Sequence, residues 1–236
     1  MGAVFKREFK SFFTSPVGYI LLAVMTCASG YFFFLFNIYS MSADLSYVFS
    51  NLFTVVLLIL PILTMRLFSE EKRQRTDQAL LTSPASLTGI VMGKFLAALL
   101  MYVLSLVILL VFAVVIAFQV TTPSWSVIIG NFLGLILLGG LVISIGLLIS
   151  SLTESQLIAA IGTLGVSVAL IMLYSLSSIF SNIPWIATVV DFLSVSQKYT
   201  EFTSGILNYA YVIFFLSMQA LFVFLTVRVL DRKRWS

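Results

Sequence analysis

The chain has 236 residues, of which 61% are hydrophobic and only 9% are charged. A typical soluble domain is about 25% charged, so this composition excludes an ordinary soluble protein, a disordered chain and a nucleic-acid binder that works through a basic surface. The sequence contains no histidine and a single cysteine, Cys27. It therefore lacks the commonest general base and cannot form an internal disulfide. We expect a polytopic membrane protein with no cofactor and no metal site.

Charge-free stretches predict six membrane-spanning helices. A span needs about 20 mostly apolar residues, and the long stretch 95–153 is divided by a polar turn around Pro123. The predicted spans are residues 17–38, 45–65, 90–118, 126–150, 156–180 and 206–228. They leave too little chain for an independent soluble domain. The fold class predicted is therefore all-α, with one transmembrane domain over residues 1–236.

The distribution of cations predicts the orientation. Twelve of the thirteen lysines and arginines fall on one face of the six-span arrangement, and only Lys198 falls on the other. Cytoplasmic loops carry an excess of Lys and Arg, so both termini are expected in the cytoplasm, N-in and C-in. Trp125 and Trp185 fall at the predicted outer boundaries and Trp235 at the inner one, as an interfacial aromatic belt requires.

Residues 1–16 predict an amphipathic helix that lies in the inner membrane interface. Phenylalanines recur there at helical spacing, with lysine and arginine between them. These residues are Phe5, Phe9, Phe12 and Phe13. Ser15 and Pro16 are suited to begin the first span. Two interpretations stay open: the helix is a topological anchor, or it is a lever between a cytoplasmic partner and span 1.

The cytoplasmic loop 66–88 is rich in charges of both signs. Ser69 is suited to cap a helix that ends near Thr82, because Pro84 disfavours helical angles in the residue before it. Glu71 and Arg75 would form a favourable pair one turn apart. The loop is either a solvated connector or a docking element for another protein.

Several further segments have more than one interpretation. On the outer side, 181–205 is expected to be re-entrant or interfacial because its apolar run is too short to cross.

Gly89/Gly93 and Gly130/Gly134 form GxxxG pairs that allow close helix approach. Lys94 follows Gly93, but Phe95 replaces the Ser or Thr of a P-loop, so no ATP site is expected. The polar side chains at mid-span are either interhelical hydrogen-bond partners or the lining of a substrate path. The path candidates are Ser167, Ser217 and Gln219.

The order of motifs between spans 2 and 3 resembles ABC-2-type transporter permeases. An acidic stretch at Glu70-Glu71 is followed by Leu80-Leu81, Ser83-Pro84 and Gly93-Lys94, as in that family. The segment 5–19 is similar to the gliding-motility (GldF-like) subgroup. The resemblance implies the permease subunit of an ATP-binding cassette exporter in a bacterial cytoplasmic membrane, without an ATPase site of its own.

The resemblance also implies a coupling helix and a set of partners. The ATPase-coupling residues would be Glu70, Glu71, Arg73, Arg75, Leu80 and Leu81. The partners would be a cytoplasmic ABC ATPase, a second copy or a related permease, a GldG-like auxiliary envelope protein and membrane lipid, with no nucleic acid. Two alternatives remain: a non-transporting scaffold that anchors an ATPase, and an ion-coupled carrier. The lack of mid-span charged residues disfavours the carrier.

Overall fold

A computed structural model of the chain describes residues 1–76, 86–119, 125–179, 188, 194–205 and 208–234, and the regular structure in these ranges is helical. The helices are α1 Gly2–Thr14, α2 Pro16–Phe33, α3 Ser46–Thr64, α4 Ser69–Arg73, α5 Leu87–Gln119, α6 Trp125–Leu152, α7 Gln156–Ile179, α8 Val195–Thr203 and α9 Tyr209–Arg234. Helix α2 continues directly into a π-helix, Phe34–Tyr39. The all-helical fold class is confirmed for the described part of the chain.

Five helices in the described ranges are long and apolar enough to cross a membrane, namely α2 with its π-helical extension, α3, α5, α6 and α9. The remaining predicted span, the fifth in chain order, corresponds to α7, whose apolar part among the described residues is the shorter segment Gln156–Met172. All six helices begin and end close to the predicted spans. Pro16 occupies the first turn of α2, as predicted. Ser15 occupies the N-cap position, but its side chain makes no capping hydrogen bond, so the predicted cap is wrong.

Helix α6 lies at the centre of the bundle, where it packs against α3, α5, α7, α8 and α9. Four of its glycines face large or branched side chains of these neighbours, and a Cβ at each of the four positions would press into the facing side chain. The pairs are Gly134 with Phe202 of α8, Gly139 with Tyr102 of α5, Gly140 with Gln219 of α9 and Gly146 with Thr64 of α3. Small residues allow helices in a membrane to approach closely, so α6 sets the spacing of the bundle.

Helix α1 packs along the beginning of α5. A Cβ at Gly93 would lie 3.2 Å from the carbonyl oxygen of Met1 and 3.2 Å from the amide nitrogen of Phe5, which places the backbone of α1 directly over this glycine. The close approach predicted for the first GxxxG pair is confirmed. It brings the charged side chains of α1 to the same level as Lys94, one residue beyond Gly93.

The predicted outer segment 181–205 is described only at residue 188 and from residue 194 onwards. Its described helix, α8, packs on α6 and α7. The hydroxyl of Tyr199 donates a hydrogen bond to the carbonyl of Phe49 in α3 at 2.9 Å, and Phe202 is fully buried. The remainder of the segment, and with it the re-entrant prediction, lies outside the described residues.

Candidate functional site

Six charged side chains from three helices and the turn before α4 meet at one end of the bundle, and we call them the ionic cluster. Its members are Arg7, Glu8, Arg66, Glu70, Glu71 and Lys94. Three cations balance three anions. The cluster surrounds a cavity of about 370 Å³ between α1, the α3–α4 turn and α5. It therefore links the amphipathic helix α1 to the short helix α4.

Lys94 is the centre of this cluster. Its ammonium group lies 3.2 Å from Glu8 Oε1, 3.0 Å from Glu71 Oε1 and 2.7 Å from the carbonyl oxygen of Leu67. An ammonium group has three donors, so these partners use all of them. The side chain is only 1% exposed. A lysine can be buried to this extent because opposite charges and hydrogen bonds compensate its lost hydration.

Arg7 joins the same two carboxylates from the solvent side. Its guanidinium lies 2.7 Å from Glu8 Oε1 and 2.8 Å from Glu71 Oε1. Burial by itself would raise the pKa of the Glu8 carboxyl, but the charge of Lys94 and the hydrogen bonds from Arg7 and Lys94 outweigh burial. The pKa of Glu8 therefore lies below its ordinary value, and the carboxylate stays ionised inside the cluster.

Arg66 joins the cluster to the junction between α1 and α2. Its guanidinium donates hydrogen bonds to Ser15 Oγ and, at 2.8 Å, to Ser11 Oγ. Its Nε lies 3.6 Å from Glu70 Oε2, and its guanidinium carbon lies 5.8 Å from the centre of the Phe12 ring. The Ser15 hydroxyl thus accepts a hydrogen bond from Arg66 and does not cap α2.

Helix α4 is fixed on its other side to the end of α6. The Ser69 hydroxyl donates to the carbonyl of Ser150 at 3.2 Å, and the Lys72 ammonium donates to the carbonyl of Ser151. The last carbonyls of a helix have no partner within that helix, so α4 supplies donors to the exposed end of α6. The predicted role of Ser69 as an N-cap is wrong, because its hydroxyl is used in this contact.

Helix α4 is shorter than predicted: it ends at Arg73 and does not continue to Thr82. The amide of Thr76 donates to the carbonyl of Glu71 at 2.9 Å, and the amide of Arg75 donates to the carbonyl of Lys72 at 3.0 Å. Arg75 has a φ of 56°. This is the Schellman arrangement that ends helices, in which the left-handed position is normally glycine. Because arginine occupies this left-handed position, the residue types do not indicate that α4 ends here.

The predicted helical pair of Glu71 with Arg75 is also wrong, because Arg75 lies beyond the helix and Glu71 is held by Arg7 and Lys94. From the last residue of α4 to the end of this described range, all four side chains are exposed: Arg73, Gln74, Arg75 and Thr76. Close by, a cavity of about 540 Å³ is lined by Arg73 together with Glu154 and its neighbours in the α6–α7 turn. We call residues 73–76 and Glu154 the exposed rim.

Residues 45–229 match the family described as ABC-2 family transporter protein. The match covers more than half of the chain and includes every helix from α3 to α8.

The chain belongs to the ABC-2 transporter family.

It is the permease component, an integral membrane protein that lacks an ATPase domain, and the family implies a separate ATPase subunit as its partner. No curated protein matches the sequence.

The predicted coupling residues of this ABC-2 permease fall into two groups. Glu70 and Glu71 face the ionic cluster, and Arg73 and Arg75 lie on the exposed rim. Four cluster members were not predicted as site residues: Arg7, Glu8, Arg66 and Lys94. The sequence position of Lys94 could have indicated its role. It is the last charged residue before a long charge-free stretch, and ionisable residues within membrane-spanning segments are usually functional or paired. Leu80 and Leu81 lie outside the described residues.

The predicted aromatic face of α1 is present and is directed towards the bundle. Phe12 is buried, and Phe5, Phe9 and Phe13 follow one another in ring contacts with centroids 5.9 Å and 5.2 Å apart. The cations Lys6 and Lys10 are exposed. Helix α1 is therefore amphipathic in the structure. Its apolar face packs against α2 and α5, where Phe12 is buried and Phe13 stays exposed.

The three candidates for a substrate path have separate hydrogen-bond partners. Gln219 is buried and donates to the Leu137 carbonyl of α6 at 2.9 Å, whereas Ser167 is buried in α7 and donates to Thr163 at 2.9 Å. Ser217 is exposed on α9 and donates to the Phe214 carbonyl. Gln219 acts as an interhelical hydrogen-bond partner, which was the alternative to a path lining.

The pKa of Glu8 predicts how stability depends on pH. A carboxylate whose pKa is lowered by folding stabilises the protein fully above its ordinary pKa of 4.5, and the stabilisation is lost as the pH falls through the lowered value. Glu8→Gln is therefore expected to unfold at a lower temperature than wild type at about pH 7, with the difference shrinking at about pH 3.5. Thermal unfolding in detergent measures this. A difference independent of pH would contradict it.

Proposed function

We propose that this ABC-2 permease is a six-span subunit of an ATP-driven exporter and that α4 with the exposed rim receives the ATPase. The single observation that supports this is the ionic cluster, which ties α4 to α1 and α5 immediately beside the exposed rim. A partner that moves the rim would move both helices together, because Lys94 is bonded to three separate segments. Residues 66–88 are then the coupling loop and residues 1–16 the interfacial helix of one domain, 1–236.

The proposed orientation places the ionic cluster in the cytoplasm. Gln74 and Thr76 line one cavity with Lys94, and Arg228 of α9 lines one groove with Met92 of α5, so the exposed rim and this end of α9 lie on the side of Lys94. Cations accumulate on the cytoplasmic side of membrane proteins. Helix α7 then serves as the fifth of six spans. A second copy or a related permease would complete the substrate path, with Ser167, Ser217 and Gln219 as its candidate lining. The proposed permease belongs to the GldF-like subgroup, has a GldG-like envelope protein as a partner and lies in a bacterial cytoplasmic membrane.

Charge reversal on the exposed rim tests the docking of the ATPase. The double variant Arg73→Glu/Arg75→Glu is expected to lower the amount of co-purified ATPase about tenfold, which corresponds to about 1.4 kcal/mol of binding free energy. Affinity purification from native membranes followed by mass spectrometry measures it. Arg232→Glu is the matched control, because Arg232 is an exposed arginine at the end of α9 and lies away from the rim.

The same preparation separates the proposal from its alternatives. Substrate uptake into vesicles that stops when ATP is withheld supports an ATP-driven exporter. An ATPase that co-purifies without any transport indicates a scaffold. Transport driven by an ion gradient in the absence of ATP indicates a carrier. Unchanged ATPase recovery in the double variant contradicts the docking role of the rim.

A further inference from the structure

A groove between α5 and α9 is separate from the ionic cluster and has no part in the proposed coupling. It encloses about 590 Å³, which is within the range of small-molecule sites, about 300–1,000 Å³. Most of its wall is apolar, although Thr88 and the path candidate Gln219 also line it. The apolar wall is formed by Met92 and Phe95 of α5 and by Leu216, Ala220, Val223 and Phe224 of α9.

The groove has one charged end. Arg228 and Asp231 line it there, three residues apart on α9 and thus neighbours on the helix surface. Within the described ranges neither side chain takes part in an ion pair. The Arg228 guanidinium lies over the ring of Phe224, with 5.0 Å between its central carbon and the ring centre. The site therefore offers one cation and one anion side by side, above an apolar channel.

The length of the groove matches one leaflet of a bilayer. Leu216 and Asp231 are fifteen residues apart in a helix, about 22 Å at a rise of 1.5 Å per residue. Half of a bilayer measures about 20–22 Å with its headgroup region, of which about 15 Å is hydrocarbon. The apolar wall and the charged end are thus placed as the acyl chain and the headgroup of one phospholipid would require.

We propose that this groove binds one phospholipid with a phosphoethanolamine headgroup, in the leaflet on the side of Lys94. Arg228 pairs with the phosphate, for which arginine offers two parallel donors. Asp231 pairs with the primary ammonium. A purely anionic headgroup would meet the Asp231 carboxylate without a compensating cation, and a choline headgroup cannot donate a hydrogen bond to it.

The charged pair also favours a lipid over a second protein helix as the occupant. A transmembrane helix would bring mostly apolar side chains over Arg228 and Asp231, and covering unpaired charges is costly. A zwitterionic headgroup satisfies both charges and keeps them at the hydrated surface. The bound lipid would hold α5 and α9 together at the end where α9 leaves the membrane.

Native mass spectrometry of the full chain, purified with its associated subunits, tests the proposal. The probes are dioleoyl phosphatidylethanolamine, phosphatidylglycerol and phosphatidylcholine, added in equal amounts. Wild type is expected to retain phosphatidylethanolamine, and Arg228→Gln and Ala220→Trp are each expected to lose it at least about fivefold. Arg232→Gln and Leu221→Trp are the matched controls, because both positions are exposed on α9 outside the groove wall. Asp231→Asn is expected to shift retention towards phosphatidylglycerol.

Three results would overturn the inference. Phosphatidylglycerol or phosphatidylcholine retained as strongly as phosphatidylethanolamine by wild type would remove the headgroup assignment. Equal losses in the groove variants and their controls would indicate lipid bound to the whole surface. The third result comes from Ala220→Cys in a Cys27→Ser background, which has a single cysteine. Efficient formation of disulfide-linked dimers on oxidation would show that a second copy of the chain occupies the groove.

Discussion

Replacement of Lys94 by methionine is expected to destabilise the protein by about 3–5 kcal/mol and to abolish ATP-driven transport. Methionine is a long, flexible apolar side chain that the buried site can accept, so the main loss is the charge. Glu8 and Glu71, whose side chains are only 13% and 18% exposed, would then share one cation, Arg7. The Leu67 carbonyl would also lose its donor. With this link broken, movement of α4 would no longer reach α5.

Thermal unfolding in detergent and transport by vesicles measure the two effects. Lys10→Met is the matched control: Lys10 is exposed on α1, and surface substitutions usually change stability by less than about 0.5 kcal/mol. Adding Glu71→Gln to Lys94→Met is expected to restore part of the stability, because it removes one of the two carboxylates left in excess. A fully additive loss in the double variant would show that Lys94 and Glu71 do not act as a pair.

The apolar helices could be predicted from the sequence because their signal is local. Each span is a charge-free stretch of sufficient length, and Pro16 and Ser15 mark the beginning of α2. The end of α4 was predicted wrongly for an equally local reason. Arg75 adopts the left-handed conformation that glycine or asparagine usually signals, so the stop leaves no mark in the residue types.

The ionic cluster could not be predicted because its partners are far apart in the chain. Arg7 and Glu71 are separated by 64 positions, and their pairing depends on α1 lying across Gly93 of α5. The spacing of charges in the sequence predicted that Glu71 belongs to a charged loop and pairs with Arg75, one helical turn further on. The fold instead turns Glu71 inward, and residues 73–76 remain exposed. The division of the charges of one loop into a buried set and an exposed set depends on the packing of the helices, and the local sequence does not contain that information.

Replacement of Gly139 by alanine is expected to destabilise the protein by about 1–3 kcal/mol, although alanine is the better helix former. A Cβ at this position of α6 would overlap the ring of Tyr102 in α5. That ring is fully buried, and its hydroxyl donates to the Leu135 carbonyl at 2.9 Å. The ring can move only if it gives up this hydrogen bond or pushes α5 away from α6. Thermal unfolding measures the loss.

Gly165→Ala is the control that separates packing from backbone effects. Gly165 is also inside a helix, α7, but a Cβ there would meet no described atom within 4 Å, so the variant is expected to be as stable as wild type or more stable. Tyr102→Leu combined with Gly139→Ala is expected to cost less than the two changes added together, because the smaller side chain makes room for the methyl group. Equal effects of alanine at positions 139 and 165 would contradict the role of α6 in setting the helix spacing. If the costs differ as expected, the glycines of α6 fix the distance between the helices that pack on it.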